Sequence, residues 1–176
     1  MMKEPLQKLY PHLYIDGIYD LPIEKLKQLG IRGLIFDIDN TIVPFDQEDA
    51  GEEFLQFAKK LQDDGFVLAI LSNNNQKRVE RFNEELQLHA VHKGGKPFPF
   101  KIRKIMETLD LTPKTTAMIG DQIFTDVWCG RSAGVFSILA KPMSDKDQLV
   151  TKIKRGMERI VIEKYIADKE KNSRNK

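Results

Sequence analysis

The chain is poor in residues that build cross-links and soft-metal sites. It has one cysteine, which excludes an internal disulfide and a cysteine-rich zinc site. Its histidines are three, His12, His89 and His92, too few for a convincing histidine-based metal centre. Long apolar runs are missing too. The longest are about six to eight residues, against the roughly 20 of a membrane-spanning helix. The opening MMKEPLQKLYPHLY has no apolar core of signal-peptide length, so a reducing cytoplasm is the expected compartment. Charge of one sign is lacking as well. Lys+Arg 28 against Asp+Glu 26 leaves a net +2, which argues against a chain that grips nucleic acid over its whole surface. No internal repeat, low-complexity tract or interdomain linker is visible.

What is present fits one globular domain: 176 residues, 41% hydrophobic and 31% charged. Five short apolar runs stand out at Ile31–Phe36, Phe66–Leu71, Leu88–Val91, Thr116–Ile119 and Val135–Leu139. Helix-period segments separate them. Phe54, Leu55, Phe57, Ala58 and Leu61 share a face within 52–63. Val79, Phe82 and Leu86 mark a second helix after Asn75, a plausible N-cap. Ile102, Ile105, Met106 and Leu109 mark a third, and Ile123, Val127 and the Cys129–Gly130 region a fourth that closes near Gly134. Alternating strands and helices predict βαβ units around a parallel sheet. Near-continuous apolar strands predict helices on both faces. The expected fold is therefore α/β, a three-layer sandwich around a five-stranded parallel sheet.

In such folds ligands bind beyond the carboxyl ends of the strands. Four polar clusters follow four of the runs: Asp37-Ile-Asp39-Asn-Thr41, Ser72-Asn73-Asn74-Asn75, Lys93-Gly-Gly-Lys96 and Gly120-Asp121 with Asp126 beyond it. Two nearby carboxylates resist double ionisation unless a cation intervenes. Magnesium suits them, because it takes oxygen ligands and usually binds one or two carboxylates plus substrate phosphate. Asp121 is the natural further ligand. Lys96 adds a point charge and Ser72 a hydrogen-bond donor, an inventory that suits a phosphoryl group. A carboxylate nucleophile can form an aspartyl-phosphate, and a second carboxyl can move the protons.

These four clusters, in this order, resemble motifs I to IV of the haloacid dehalogenase-like (HAD) phosphatases. The resemblance implies a Rossmann-like sheet of order 5-4-1-2-3. It also implies roles. Asp37 is the nucleophile and a metal ligand. Asp39 is the general acid/base and holds the metal through its backbone carbonyl. Thr41 orients that pair. Ser72, with Asn73 nearby, holds a phosphoryl oxygen. Lys96 bridges phosphate and Asp37, Asp121 ligates Mg2+, and Asp126 supports Lys96 or a metal-bound water. An Asp at position 39 suits phosphatases rather than dehalogenases.

Only 30 residues separate Thr41 from Ser72, and 23 separate Ser72 from Lys96. One helix and one strand fill each interval, so neither holds the cap domain by which many HAD enzymes select small metabolites. The expectation is a single capless domain over 1–176, with its core at 31–140 and appendages at 1–30 and 144–176. An open site suits a bulky or surface-bound phosphoester, or a neighbouring subunit acting as cover. FDIDNTIVPF, GGKPFP and GDQIFTDVWCGRSAG resemble the YqeG-type subfamily IIIA, which is similar to mitochondrial phosphatidylglycerophosphate phosphatases. The implied reaction is magnesium-dependent hydrolysis of phosphatidylglycerophosphate in phospholipid synthesis.

The terminal segments fit a peripheral membrane-surface enzyme. Residues 1–20 hold three of four tyrosines (Tyr10, Tyr14, Tyr19) with Leu6, Leu9, Leu13 and Ile18, and 151–176 hold nine Lys/Arg against four Asp/Glu. Ile153, Met157, Ile160, Val161 and Tyr165 recur at helical spacing there. The competing substrates are a phosphoprotein, a nucleic-acid end and a soluble sugar phosphate. A basic groove at the site, the mark of a nucleic-acid substrate, is not evident. A metal-dependent nuclease fits the ordered Asp, Ser, Lys, Asp set less well. The competing class is a catalytically quiet HAD-fold interaction module. Cys129 reads as a small core residue, and His89 with His92 as a strand-edge pair.

Overall fold

The computed structural model describes residues 8–144 and 149–174. In chain order the elements are β1 (Leu13–Ile15), α1 (Ile23–Gln28), β2 (Gly33–Phe36), α2 (Gly51–Asp63), β3 (Val67–Leu71), α3 (Gln76–Asn83) and β4 (His89–Val91), then α4 (Phe100–Thr108), β5 (Thr116–Gly120), α5 (Trp128–Ala133), β6 (Phe136–Ala140) and α6 (Leu149–Arg174). A turn of π-helix over Ile123–Val127 leads into α5. The strands form one parallel sheet of order β1-β6-β5-β2-β3-β4.

The expected five strands are thus six. The other five keep the order expected of them, and β1 adds outside β6 in the register Leu13↔Ile138 and Ile15↔Ala140. Its three residues are too few for a periodicity to emerge, and only Ile15 is buried. Backbone pairing makes the strand: His12 N donates to Ser137 O at 2.8 Å and Lys141 N to Ile15 O at 3.0 Å.

The apolar runs become strands because both sheet faces are covered. On one face Leu34, Phe36, Leu68 and Ile70 meet Leu26 of α1, Phe54 and Leu61 of α2 and Phe82 of α3. On the other, Ile35, Leu71 and Met118 meet Ile102 and Ile105 of α4 and Cys129 of α5. A third cluster joins Ile123, Val127 and Leu139 to Val161 of α6, with Tyr10 and Tyr14 against it. Asn75 caps α3, its Oδ1 accepting from Arg78 N at 3.0 Å. Gly134 ends α5 in the left-handed region at φ 79°, which a Cβ would penalise.

Both terminal segments pack inward. Ile15 and Ile18 are in the largest core cluster. Tyr10 donates to Asp168 of α6 at 2.8 Å and packs edge-on against Tyr165. Tyr19 packs edge-on against Phe57 of α2. Leu6 and the side chain of Ile153 lie outside the described residues. Among the described residues no helix is long and apolar enough to cross a membrane.

Candidate active site

The parallel sheet brings the carboxyl ends of β2, β3 and β5 together, and the chain after β4 reaches the same edge. Asp37 follows β2 directly, and its N–H continues the ladder by donating to Ile119 O of β5 at 2.9 Å. The chain then folds back: Ile42 N donates to Ile38 O at 2.9 Å, and Asn40 takes a positive φ of 60°, which asparagine adopts more readily than most residues. This turn separates the two acids. Asp37 faces Lys96, whereas Asp39 faces α3.

Three carboxylates converge here. Asp37, Asp121 and Asp126 each offer an oxygen within 4.8 Å of the others, and all three are buried. Lys96 lies among them, its Nζ 2.7 Å from Asp37 and 2.6 Å from Asp126. Thr41 Oγ1 donates to Asp121 Oδ1 at 3.2 Å. Asp126 Oδ2 also accepts from Gln122 N at 3.0 Å. Burial pushes the Asp37 carboxyl up to about 8, with Asp126 and Asp121 adding to the rise and Lys96 opposing it. Burial works against the Lys96 ammonium, but Asp126 and Asp37 outweigh it and hold its pKa above the ordinary lysine value. Even with Asp37 protonated, one ammonium against the two other carboxylates leaves negative charge over. A hard divalent cation with oxygen ligands suits that set.

Gly120 makes the packing feasible. A Cβ there would lie 2.2 Å from Asp126 Cγ, so only glycine lets this acid fold back onto the end of β5. Ser72 is buried, and its Oγ accepts from Asn74 N at 3.1 Å. Asn73 grips the backbone of Lys96: its Oδ1 accepts from Lys96 N at 2.9 Å and its Nδ2 donates to Lys96 O at 3.1 Å. Its amide therefore sets the position of the lysine. Cys129 is buried on α5, and burial pushes its thiol up to about 12.

Two residues enter that sequence reasoning missed, Arg78 and Glu158, and Asn74 of the polar cluster after β3 gains a partner. Arg78 holds Asp39 Oδ1 with Nη2 at 2.8 Å and Nε at 3.2 Å. Asn74 Nδ2 donates to Asp39 Oδ2 at 3.1 Å. A cation in the first turn of a helix opposes the macrodipole and so hints at a partner, the one signal for Arg78 in the sequence. Glu158 of α6 is buried, and its Oε1 accepts from Ile123 N at 2.7 Å and Phe124 N at 3.3 Å. It thereby caps the turn that carries Asp126. Nothing local marks it. A cleft of about 250 Å³ opens beside Asp121, lined by Tyr14, Leu139, Ala140, Pro142 and Ile162, with Glu158 at its wall.

A family model described as mitochondrial PGP phosphatase matches residues 1–143. The probable phosphatase YqeG of Bacillus subtilis (strain 168) is 31% identical over 158 residues, 89% of this chain and 92% of that protein. Phosphatidylglycerophosphate phosphatase 1, chloroplastic/mitochondrial, of Arabidopsis thaliana is 21% identical over 85% of this chain and 46% of its own length. The 3-deoxy-D-manno-octulosonate 8-phosphate phosphatase of Moraxella catarrhalis, solved with magnesium, phosphate and KDO, shares the fold. Its TM-score is 0.51 at 19% identity, over 66% of this chain and 72% of that one. The cobalt-bound deoxy-D-mannose-octulosonate 8-phosphate phosphatase of Haemophilus influenzae superposes with TM-score 0.54 at 18% identity, over 73% and 77%.

Proposed function

The chain belongs to the mitochondrial PGP phosphatase family and is a HAD-type phosphoric monoester hydrolase, and we propose that it cleaves phosphatidylglycerophosphate through an aspartyl-phosphate on Asp37. The observation that carries this reading is the buried Asp37–Lys96–Asp126 contact beside Asp121. A lysine fixed 2.7 Å from a carboxylate holds positive charge where the substrate's phosphoryl oxygens arrive. Asp37, Asp121 and the Asp39 carbonyl would hold Mg2+, as the family resemblance implies, and Asp126 is near enough to join them. Bound there, the ion supplies charge neutralisation for the transferring phosphoryl group.

In the first half-reaction an Asp37 carboxylate oxygen attacks phosphorus and the ester P–O bond breaks. Asp39, acting as acid, gives its proton to the leaving alkoxide. In the second, Asp39 takes a proton from water as that water attacks phosphorus. The Asp37–phosphorus bond breaks and inorganic phosphate leaves. Ser72 and nearby backbone N–H groups orient the phosphoryl oxygens, and Asp39 leaves its contacts with Arg78 and Asn74 to reach the leaving group.

The intervals before Ser72 and Lys96 hold only α2 with β3 and α3 with β4. They leave the strand ends open, which supports a bulky or surface-held ester over a small enclosed one. The chain would work in the cytoplasm, at the membrane surface.

The test is magnesium-dependent phosphate release from phosphatidylglycerophosphate in mixed micelles, from its glycerophosphate head-group analogue and from sugar phosphates. Asp37→Asn should lose at least about three orders of magnitude on the preferred ester. Release from soluble esters alone would keep the chemistry and sink the lipid substrate. Unchanged release in the variant would sink the aspartyl-phosphate.

A further inference from the structure

The loop that carries Lys96 runs on into a stretch unlike the rest of the surface. From 92 to 106 it holds five basic residues (Lys93, Lys96, Lys101, Arg103, Lys104) and no acidic one. Phe98 and Phe100 stand 65% and 74% exposed within it. Trp128, 45% exposed, opens α5. Two contacts join these pieces into one face. Phe98 O accepts from Cys129 Sγ at 3.6 Å, and Arg103 Nη2 donates to Ser132 O at 3.2 Å. Lys93, Arg103 and Lys104 are exposed beside the aromatics.

Exposed large aromatics grouped on one face mark a binding surface. Aromatics with interleaved cations and no acids match the interface of an anionic bilayer. Of the N-terminal tyrosines Tyr10 packs against Tyr165, and Tyr19, although 39% exposed, rests on Phe57 beside the acid Glu53. The other exposed aromatic near the site, Phe45, is followed by Asp46, Glu48 and Asp49, charges that an anionic surface repels. A protein seated on the Phe98 face would crowd the strand ends where substrate enters, whereas a bilayer would deliver substrate there.

We propose that Phe98, Phe100 and Trp128, with Lys93 and Lys104, dock the protein on an anionic lipid surface. Lys96 would then stand at headgroup level. The docking face rests on the lipid reading above.

Flotation with phosphatidylcholine vesicles containing about 30% phosphatidylglycerol tests it, with pure phosphatidylcholine as control. Wild type should float with the anionic vesicles. Phe98→Ser with Phe100→Ser should lower that partitioning at least about tenfold, because two exposed aromatics no longer enter the interface. Lys93→Gln with Lys104→Gln should remove most of the preference for anionic vesicles. Hydrolysis of soluble p-nitrophenyl phosphate should stay unchanged in both variants, which shows that they fold. Undiminished flotation of the Phe98/Phe100 variant overturns the proposal. So does light scattering that finds a wild-type dimer and a variant monomer, since the face is then a protein interface. Flotation that depends on Phe98 and Phe100 without any lipid hydrolysis sinks the substrate reading and leaves the docking face standing.

Discussion

At the scale of single residues, the geometry of the site depends on what glycine leaves out. Gly120→Ala would press a Cβ into Asp126, 2.2 Å from its Cγ in the present packing. Asp126 Cβ would stand 2.3 Å away as well, so the turn carrying Asp126 would have to shift and release Lys96, which Asp126 holds at 2.6 Å. Phosphatase activity should fall at least about a hundredfold and the thermal midpoint should drop by roughly ten degrees, because a buried ion pair is broken inside a packed strand end. Activity within a fewfold of wild type would show that Asp126 is dispensable for placing Lys96. Asp37, Lys96 and Asp121 could be picked out from the amino-acid order because each ends or follows an apolar run. Arg78 and Glu158 could not, since their partners lie 39 and 35 positions away.

At the scale of elements, α6 is tied to the site through one buried carboxylate. Glu158→Ala would leave the N–H groups of Ile123 and Phe124 without this acceptor. A lost buried acceptor costs about 1–3 kcal/mol. The turn carrying Asp126 should loosen, with kcat reduced and the thermal midpoint lowered. Glu158→Gln keeps an oxygen at the same place and should restore most of both, which calorimetry and steady-state kinetics would report. Equal loss in the two variants would mean that the negative charge, rather than the acceptor, matters. The strands inside the sheet were legible because burial on both faces demands apolar runs. The strand β1 was not, because its hydrogen bonds to β6 define it and three residues show no period. The inward face of α6 was legible in part: the helical spacing marked Val161 and Tyr165, which are buried, but also Met157 and Ile160, which are exposed, and it missed Glu158. Only Val161, Tyr165 and Glu158 among its described residues are buried, and its many charges read as a membrane-facing surface.

At the scale of the whole molecule, one contact joins the two ends of the fold and responds to pH. His12 Nδ1 accepts from Ser137 N at 2.9 Å, and its ring stacks on Phe136 at 4.8 Å between centroids. Burial, and then the charge of Arg131, lower its pKa from the ordinary 6.5. The unfolded chain therefore takes up a proton here before the folded one does. The stabilisation is complete above about pH 6.5 and is lost progressively as pH falls toward the lowered folded value. The thermal midpoint of the wild type should drop more steeply below that pH than that of His12→Gln, whose amide oxygen can still accept from Ser137. Parallel slopes would rule the contact out as a pH-sensitive joint.

The same joint sets an order of events. Among the strands β1 is the first made, and the one strand beside it in the sheet is the last, with His12 and Ser137 standing 125 positions apart. The other five strands can close before β1 finds its place, since long-range closure comes late and slowly. Until then the groove along β6 stands open while Ile15 and Ile18 remain in water. Any other copy of the chain carries the segment that fits that groove. Crowded refolding therefore favours chains that trade their first strands, each completing the sheet of its neighbour.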